Sequence, residues 1–242
     1  ESKIKALARV WVSKVEEIFG TSVAKSMNSL PESLAPFYFY NNEAGVIAQS
    51  LPVASLDIGG GTADIVVYTE DKPKLLTSFK FAGNAIFGDG YGGSMATNGF
   101  LKKHLDKYKE IVRTNSDNLY EVLEQLSTNR NSEDIINFLF SLNNNRVLNL
   151  NNVKVDFAQE LANDQDLKLV FVLYYSAVFY HLAKVMHLAG FDKPATILLS
   201  GSGAKTAFIA DLTNDQSDLA ILFIKIFDKV TGEQSRVKTT IK

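Results

Sequence analysis

The sequence predicts an α/β protein, in which helices flank a mixed sheet and a mostly helical subdomain is inserted. Between residues 51 and 83, apolar residues occur in short runs with a strand-like period of two. Near Gly90 the pattern changes to charged, Asn-rich helical segments, which continue to about residue 166. A long apolar helix pattern at residues 167–189 and the buried-strand pattern "ATILLSG" then return to the sheet layer.

The elements follow in order along the chain. Residues 3–27 carry apolar side chains at helical spacing, which predicts an amphipathic helix with one core-facing side. That side consists of Ile4, Leu7, Trp11, Val15 and Ile18. The runs "GVIAQS", "VASLDI", "ADIVVY" and "LLTSFKFAG" are typical of strands. Three strand-like runs punctuated by Gly, Asp and Lys-Pro predict an antiparallel meander. Near the end of the chain, "DLAILFIKIFDKV" predicts a helix and "RVKTTIK" a final strand.

The middle of the chain predicts helices at "LKKHLDKYKEIV", "LYEVLEQL" and "SEDIINFLFSL", with "NNNRVLNLNN" as a polar loop. The run at residues 167–189 is apolar almost all round and nearly long enough for a membrane span. Lys168, His181, Lys184 and His187 interrupt it, so we expect a helix buried in a core.

Composition excludes several classes of function. The net charge of −2 favours neither nucleic acid nor an anionic membrane as a partner. The chain has no cysteine and only three histidines, so a thiolate nucleophile, a cysteine zinc site and a histidine metal cluster are not expected. No signal peptide, with its basic and apolar leader, is visible at the start of the sequence. The cytoplasm is therefore the expected compartment.

The stretch "DIGGGTAD" combines three consecutive glycines with two flanking carboxylates, Asp57 and Asp64. A glycine-rich turn between strands exposes backbone N–H groups, which bind anions and phosphates. Carboxylates beside a phosphate would repel it unless a cation lies between them, so the pair predicts Mg²⁺ held through oxygen ligands and waters. The alternative is a hairpin turn that simply needs residues with positive φ.

A second glycine-rich stretch, "ILLSGSGAKT" at residues 197–206, follows a strand and precedes a helix. Ligands bind at such positions in α/β sheets. Ala204 stands where a Walker loop needs glycine, and Thr206 stands where a dinucleotide fingerprint needs glycine or alanine. Neither of these two motifs is therefore predicted.

Together these stretches resemble the actin, sugar-kinase and heat-shock-chaperone ATPase superfamily, whose lobes are ribonuclease-H-like. "DIGGGTAD" is similar to its second phosphate loop and "ILLSGSGAK" to its adenosine-binding loop. "FAGNAIFGDG", residues 81–90, resembles the glycine turn that leads into the inserted lobe of the chaperones. "PESLAPFYFY", residues 31–40, resembles the segment that precedes the phosphate loop.

The resemblance implies ATP or ADP and Mg²⁺ as cofactors, with a role for each motif residue. Asp57 would hold a metal-bound water and help to orient the attacking water, and Asp64 would be a second water-mediated metal contact. Glu32 would also orient water, unless it is a surface charge at a helix end. The nucleotide-binding residues would be Gly59, Gly60, Gly61 and Thr62 at the β- and γ-phosphates, Gly88 in the turn, Gly201, Ser202 and Gly203 at the adenosine, and Lys205 over the base or ribose.

The chain departs from the superfamily pattern in three places. Ser202 replaces the second of two adjacent glycines, and Asp89 replaces a glycine where a negative charge would oppose a nucleotide. The first phosphate loop, an Asp-x-Gly-Thr hairpin, is absent from residues 1–56. We therefore expect the second half of such an ATPase, with the N-terminal lobe as partner.

The expected organisation has three parts. Residues 1–50 connect from the first lobe, residues 51–90 and 167–242 form the core of the second lobe, and residues 91–166 form the inserted helical subdomain. The expected function is ATP binding and hydrolysis of a chaperone-like or bacterial actin-like type, incomplete in this chain. A small-molecule kinase of the same superfamily, or a non-catalytic interaction module that keeps the fold, are the alternatives. We also expect a protein partner or self-assembly.

Overall fold

The computed structural model describes residues 2–22, 34–44, 51–70, 72–89, 94–129, 131–209 and 218–242. It divides into two compact units, Glu1–Gly45 and Val46–Lys242. The predicted strand "GVIAQS" and Glu32 lie outside the described residues.

The first unit contains two helices, α1 (Ser2–Phe19) and α2 (Ala35–Ala44). Helix α1 ends where Gly20 adopts a φ of 88° and donates its N–H to the Glu16 carbonyl, a left-handed cap that glycine adopts without strain. The apolar side that we expected in a core is exposed: Leu7 is 60% and Trp11 is 64% exposed. The prediction of a core-facing side is wrong for these side chains, because periodicity shows that a face is apolar but not what covers it.

The second unit is built on a five-stranded mixed sheet. Its strands are β1 (Val53–Ile58), β2 (Ala63–Thr69), β3 (Lys72–Phe79), β4 (Thr196–Ser200) and β5 (Thr240–Ile241). The order is β3-β2-β1-β4-β5; β1, β2 and β3 pair antiparallel, whereas β4 pairs parallel to β1 and β5 parallel to β4. The predicted meander and the predicted mixed sheet are confirmed. The final strand is shorter than "RVKTTIK" predicts.

The remaining helices are α3 (Asn84–Phe87), α4 (Gly99–Asn115), α5 (Asp117–Asn129), α6 (Ser132–Ser141), α7 (Arg146–Leu150), α8 (Phe157–Ala162), α9 (Gln165–Leu188), α10 (Thr206–Ile209) and α11 (Asp218–Thr231). Helices α9 and α11 cover one face of the sheet. Alternate residues of β1, Ala54, Leu56 and Ile58, are fully buried in one apolar cluster with Phe179 of α9 and Phe223 of α11. The period of two in the sequence thus places every second side chain in this core.

Between β3 and α9, the described residues from 94 to 166 form helices and turns and no strand, so the expected helical insertion is present. These helices share a second apolar cluster with α9, which includes Phe157 of α8 and Phe171 of α9. Asparagines explain part of the local folding, because Asn98 and Asn145 accept hydrogen bonds from backbone N–H groups in the first turns of α4 and α7. Helix α7 therefore forms inside the predicted polar loop.

A buried polar cluster ties α4 to α8 and α9. His104 is 3% exposed; its Nδ1 lies 3.4 Å from Glu160 Oε1, and its Nε2 lies 3.9 Å from Asp164 Oδ2. Burial lowers the pKa of His104 below its ordinary value. Burial raises the pKa of Glu160, but hydrogen bonds from Lys107 and Tyr108 outweigh this and hold it below its ordinary value.

Helix α9 is long and apolar enough to pass a length and composition test for a membrane span, a test that core helices also pass. Only 44% of the 18-residue apolar stretch that passes this test is buried. Tyr175, Val178 and Phe179 are fully or almost fully buried, whereas Leu169 and Leu173 are 61% and 62% exposed. The expectation of a buried helix therefore holds for one side of α9 alone.

Candidate functional site

The two predicted metal carboxylates face each other across the first hairpin. Asp57 in β1 and Asp64 in β2 are direct Cα partners, so both side chains lie on the same face of the sheet. Ser200 of β4 is the parallel partner of Asp57 and extends this polar row across a third strand. Like charges placed directly opposite destabilise a sheet unless a counter-charge lies between them.

Two buried hydroxyl groups lie on this same face without a protein partner. Ser200 Oγ and Ser55 Oγ make no hydrogen bond within the described part of the chain. Buried polar atoms are nearly always satisfied by protein, water or an ion, so an unsatisfied pair needs an explanation. The row of Asp57, Asp64 and Ser200 provides oxygen donors of the type that bind hard cations.

A metal at this face would have to complete its coordination with waters. Among the described residues, no group of three or more His, Asp or Glu side chains is arranged to hold a metal ion. Mg²⁺ keeps several waters and commonly binds proteins through one or two carboxylates. The Asp57 and Asp64 pair fits that mode of binding.

The three glycines form a tight hairpin loop. Gly59 donates its N–H to the Thr62 carbonyl at 2.9 Å, which closes a two-residue turn at Gly60 and Gly61. Neither of these two residues has a φ in the left-handed region, and positive φ among the described glycines is confined to Gly20, Gly190, Gly201 and Gly232. The alternative of a turn that merely requires positive φ therefore does not explain the glycines.

What the loop provides is open space and free donors. A Cβ added to Gly61 would meet nothing within 4 Å, so the chain itself has no steric need for glycine there. Within the described structure, the N–H groups of Gly60, Gly61 and Thr62 donate to no protein atom. Three consecutive free N–H groups at a loop tip form the kind of concavity that binds an anion.

The turn before the insertion fixes this loop from behind. Gly83 donates to the Gly59 carbonyl at 3.0 Å, and Asn84 donates to the Gly60 carbonyl at 2.8 Å. A Cβ on Gly88 would lie 2.6 Å from the Asn84 carbonyl oxygen, so glycine is required at the end of α3. The Gly59 and Gly60 carbonyls are thus engaged, while the N–H groups of Gly60, Gly61 and Thr62 remain free.

The second glycine-rich loop packs directly against the first. Gly201 has a φ of 87°, and a Cβ there would lie 2.2 Å from the Ile58 carbonyl oxygen and 2.4 Å from Asp57 Oδ1. A Cβ on Gly203 would lie 2.7 Å from the Gly59 carbonyl oxygen. Because β1 and β4 are parallel neighbours, their carboxyl ends meet at one edge of the sheet, and the structure brings the two loops together there.

A buried hydroxyl pair fixes the turn that follows. Thr206 Oγ1 donates to the Gly203 carbonyl at 2.8 Å and lies 2.9 Å from the Tyr175 hydroxyl oxygen. Burial raises the pKa of Tyr175, so its hydroxyl stays protonated near neutral pH. The neighbouring Lys205 side chain is exposed.

A cleft of about 1040 Å³ opens between the two loops and the helical insertion. The predicted residues that line it are Gly59, Gly60, Gly61, Gly88, Ser202, Gly203 and Lys205. The opposite wall comes from the insertion, with Glu133, Ile136, Asn137 and Phe140 of α6. Sequence reasoning missed this wall and Asn84, because these residues belong to no glycine motif and only the tertiary fold brings them to the loops.

Asp57 and Asp64 do not line the cleft; they lie on the sheet face beside the hairpin. Asp89, expected to oppose a nucleotide, does not line it either. Its Oδ1 accepts hydrogen bonds from Asn98 Nδ2 at 3.1 Å and from Ser132 Oγ at 2.5 Å. The Asp89 carboxylate thus joins the turn after α3 to the beginnings of α4 and α6 and is not among the residues that line the cleft.

Comparison with known proteins gives matches among solved structures only; no family model and no curated protein matches the sequence. A chain of a PilM-PilN type IV pilus biogenesis complex matches over 87% of this chain and 40% of its own length, with 13% identity and a TM-score of 0.36. The ethanolamine utilization protein EutJ from Carboxydothermus hydrogenoformans matches over 87% of this chain and 49% of its own, with 13% identity and a TM-score of 0.35. This chain spans less than half the length of either protein.

Proposed function

We propose that this chain is the second lobe of an actin-like ATPase and that it binds ATP together with Mg²⁺. The observation that carries the proposal is the hairpin in which Gly60, Gly61 and Thr62 present free N–H groups between the strands of Asp57 and Asp64. The N–H groups attract an anion and the carboxylates repel it. The N–H groups and the carboxylates are both satisfied when a divalent cation accompanies the anion, as it does in a metal–nucleotide complex.

In this proposal each part of the site has a defined task. Gly59 to Thr62 bind the β- and γ-phosphates, and Asp57 and Asp64 hold waters of the metal. Bound Mg²⁺ would neutralise charge that develops on the phosphates. Asp57 also orients the attacking water, and Glu32, outside the described residues, is a second candidate for that task.

The cleft between the loops and α6 is the proposed adenosine site. Its volume of about 1040 Å³ is ample for a nucleoside, since ligand pockets commonly measure about 300–1,000 Å³. Gly203, Ser202 and Lys205 line one wall. In this proposal Lys205 would cover the base or ribose. The glycines permit close approach, because a bulkier residue at position 203 would collide with the phosphate loop itself.

Hydrolysis requires more than this chain provides. Phosphoryl transfer depends on charge stabilisation from every side of the γ-phosphate, and removing one set of oxyanion donors costs about 3–4 kcal/mol. The facing Asp-x-Gly-Thr hairpin does not occur in residues 1–56, so an N-terminal lobe would supply it. We therefore propose weak ATP binding and negligible turnover for this chain alone.

The proposed division of the chain follows the same scheme. Residues 51–90 and 167–242 form the core of the lobe, residues 91–166 form the inserted subdomain, and residues 1–50 connect to the first lobe. A cytoplasmic protein of chaperone-like or bacterial actin-like type is proposed. A protein partner is also proposed, since PilM takes part in a complex with PilN.

Calorimetry on Gly61→Ala and Gly99→Ala tests the proposal. Neither added Cβ meets an atom within 4 Å, so both variants should fold. Only the Gly61→Ala methyl group lies in the loop whose N–H groups are free, and it occupies the space next to them. We expect Gly61→Ala to weaken binding of Mg²⁺–ATP about tenfold or more, the value of one or two hydrogen bonds to a charged group. Adenosine binding should not change in either variant. Equal ATP affinity for Gly61→Ala, Gly99→Ala and the unmodified chain would contradict a phosphate loop at this position.

A further inference from the structure

The outer side of α9 presents an apolar stripe to solvent. Leu169, Leu173 and Tyr180 are 61%, 62% and 52% exposed and recur at intervals of four and seven residues, which places them on one side of the helix. A helix that is apolar all round is normally buried all round, yet less than half of the apolar window of α9 is buried. Contiguous exposed apolar surface of this kind marks an interaction site.

A groove between α9 and α11 continues this stripe. It has a volume of about 530 Å³ and combines an apolar floor with basic sides. The residues that define this α9–α11 groove are Tyr180, Lys184, Lys225, Ile226, Lys229 and Val230. The stripe and the groove meet at Tyr180, so they form one surface.

The three lysines of the groove carry uncompensated charge. Within the described residues, Lys184, Lys225 and Lys229 form no ion pair. The nearest acid along α11 is Asp228, whose Oδ1 is held by the buried Lys193 at 3.0 Å. By contrast, three lysines of the insertion each form an ion pair with a carboxylate: Lys103, Lys107 and Lys109.

We infer that this surface binds an amphipathic helix of a protein partner, apolar along one side and acidic along its edges. The apolar stripe and groove floor accept the apolar side of such a helix, in the helix-in-groove mode of peptide recognition. The lysines select carboxylates at its edges and accelerate its association. A bilayer surface is flat and would leave the groove between the two helices unfilled, so the shape favours a helix over a membrane.

The test uses the full-length protein and a fluorescent 18-residue peptide helix with leucine at every third or fourth position and glutamate beside each leucine. A second peptide carries lysine in place of every glutamate. We expect measurable binding of the acidic peptide by fluorescence anisotropy, at least tenfold weaker binding of the basic peptide, and weakening of the acidic complex as salt rises.

Protein variants assign the binding to this surface. Lys225→Glu with Lys229→Glu should weaken binding of the acidic peptide about tenfold or more. Lys72→Glu with Lys74→Glu, on exposed positions of β3, makes the same change in net charge and should leave it unaltered. Leu173→Gln should weaken binding of the acidic peptide while nucleotide affinity stays unchanged, which separates this inference from the proposed ATP site.

Three results would overturn the inference. One is no binding of the acidic peptide, or equal binding by both double variants. Another is that the protein binds no peptide but co-sediments with phosphatidylserine vesicles, and that the Lys225 and Lys229 changes weaken this vesicle binding. The surface would then be a membrane contact. The last is concentration-dependent self-association in ultracentrifugation, if the Lys225 and Lys229 changes abolish it and if self-association prevents the peptide from binding. The occupant of the surface would then be a second copy of this chain.

Discussion

Asp57 and Asp64 are direct Cα partners in the β1–β2 hairpin, so two carboxylates share one face of the sheet at the edge where the glycine loops meet. The pair is half-buried, and no lysine or arginine forms an ion pair with either carboxylate within the described structure. The fold therefore carries a charge repulsion that a bound cation would remove. This gives the metal proposal an energetic consequence that can be measured without any turnover.

Replacing Asp64 with asparagine should stabilise the protein in the absence of metal. Removing one charge of a directly opposed pair is worth roughly 0.2–1 kcal/mol. The same change should remove the stabilisation that Mg²⁺–ATP gives to the unmodified protein. Thermal denaturation in EDTA and in Mg²⁺–ATP measures both effects.

Asp106→Asn is the matched control, because Asp106 is an exposed acid on α4 away from the sheet edge. It should leave the stability and its response to Mg²⁺–ATP unchanged within about 0.5 kcal/mol. A stability loss in Asp64→Asn without metal would show that the two carboxylates do not repel each other.

Gly201→Ala should be far more damaging than Gly232→Ala, although both glycines have similar positive φ values of 87° and 77°. An added Cβ at Gly232 meets nothing within 4 Å, so that variant should lose only about 1–2 kcal/mol of unfolding free energy for the left-handed backbone. At Gly201 the Cβ would also collide with the Ile58 carbonyl, which adds about 1–3 kcal/mol or more. Urea denaturation of the two variants compares them directly, and equal losses would mean that the two loops are not in contact.

Asp89→Ala should destabilise the protein without improving nucleotide binding. The Asp89 carboxylate accepts hydrogen bonds from Asn98 and Ser132. Its removal leaves the Ser132 hydroxyl without this acceptor, while Asn98 Nδ2 keeps its hydrogen bond to the Phe87 carbonyl, so we expect a cost of about 1–3 kcal/mol. ATP affinity should stay within about twofold, because the carboxylate does not line the cleft. Calorimetry that shows much tighter ATP binding in Asp89→Ala would support the original expectation that this charge opposes a nucleotide.

The insertion should lose stability as the pH falls below about 6.5. Burial lowers the pKa of His104, so between the unfolded and folded pKa values the unfolded chain binds a proton that the folded chain does not. The pKa of Glu160 is also lowered in the folded protein, so its contribution is present above its unfolded pKa and is lost as the pH falls through the folded value. Both groups act in the same direction, and they act in successive pH ranges.

Urea denaturation of His104→Gln between pH 7.5 and 5 isolates the contribution of His104 to the pH dependence of the unfolding free energy. The variant should lose less stability than the unmodified protein over that range. His187→Gln, at an exposed position on the same protein, should follow the unmodified curve. A His104→Gln curve that is parallel to the unmodified one would show that His104 is protonated equally in the folded and unfolded states.

The parts of this protein that sequence could predict are those governed by local chemistry. The period-two runs predict strands where the structure has β1, β2 and β3. Local pattern does not identify what lies across a cleft. Glu133 and Asn137 of α6 are ordinary polar helix residues until the fold places them opposite Gly203.

The errors have the same physical origin. The position of Asp89 in a motif predicts a charge that opposes a nucleotide, but its environment is set by Asn98 and Ser132, which are 9 and 43 residues away in the chain. Hydrophobic periodicity predicts an apolar side on α1 and on α9, but it is the same for a side that is buried and for a side that is exposed. The asparagine-rich run predicts a loop, although Asn145 begins a helix there.

Helix α9 belongs to both apolar clusters of the second unit. Its first half contributes Leu167 and Phe171 to the core of the insertion, and its second half contributes Tyr175 to Met186 to the core under the sheet. With 24 residues it is a continuous rod about 36 Å long. Because one continuous helix is packed into both cores, tilting the insertion away from the sheet would have to bend this helix or disturb one of the cores. We therefore expect the two walls of the cleft to keep a similar spacing whether or not a ligand is bound.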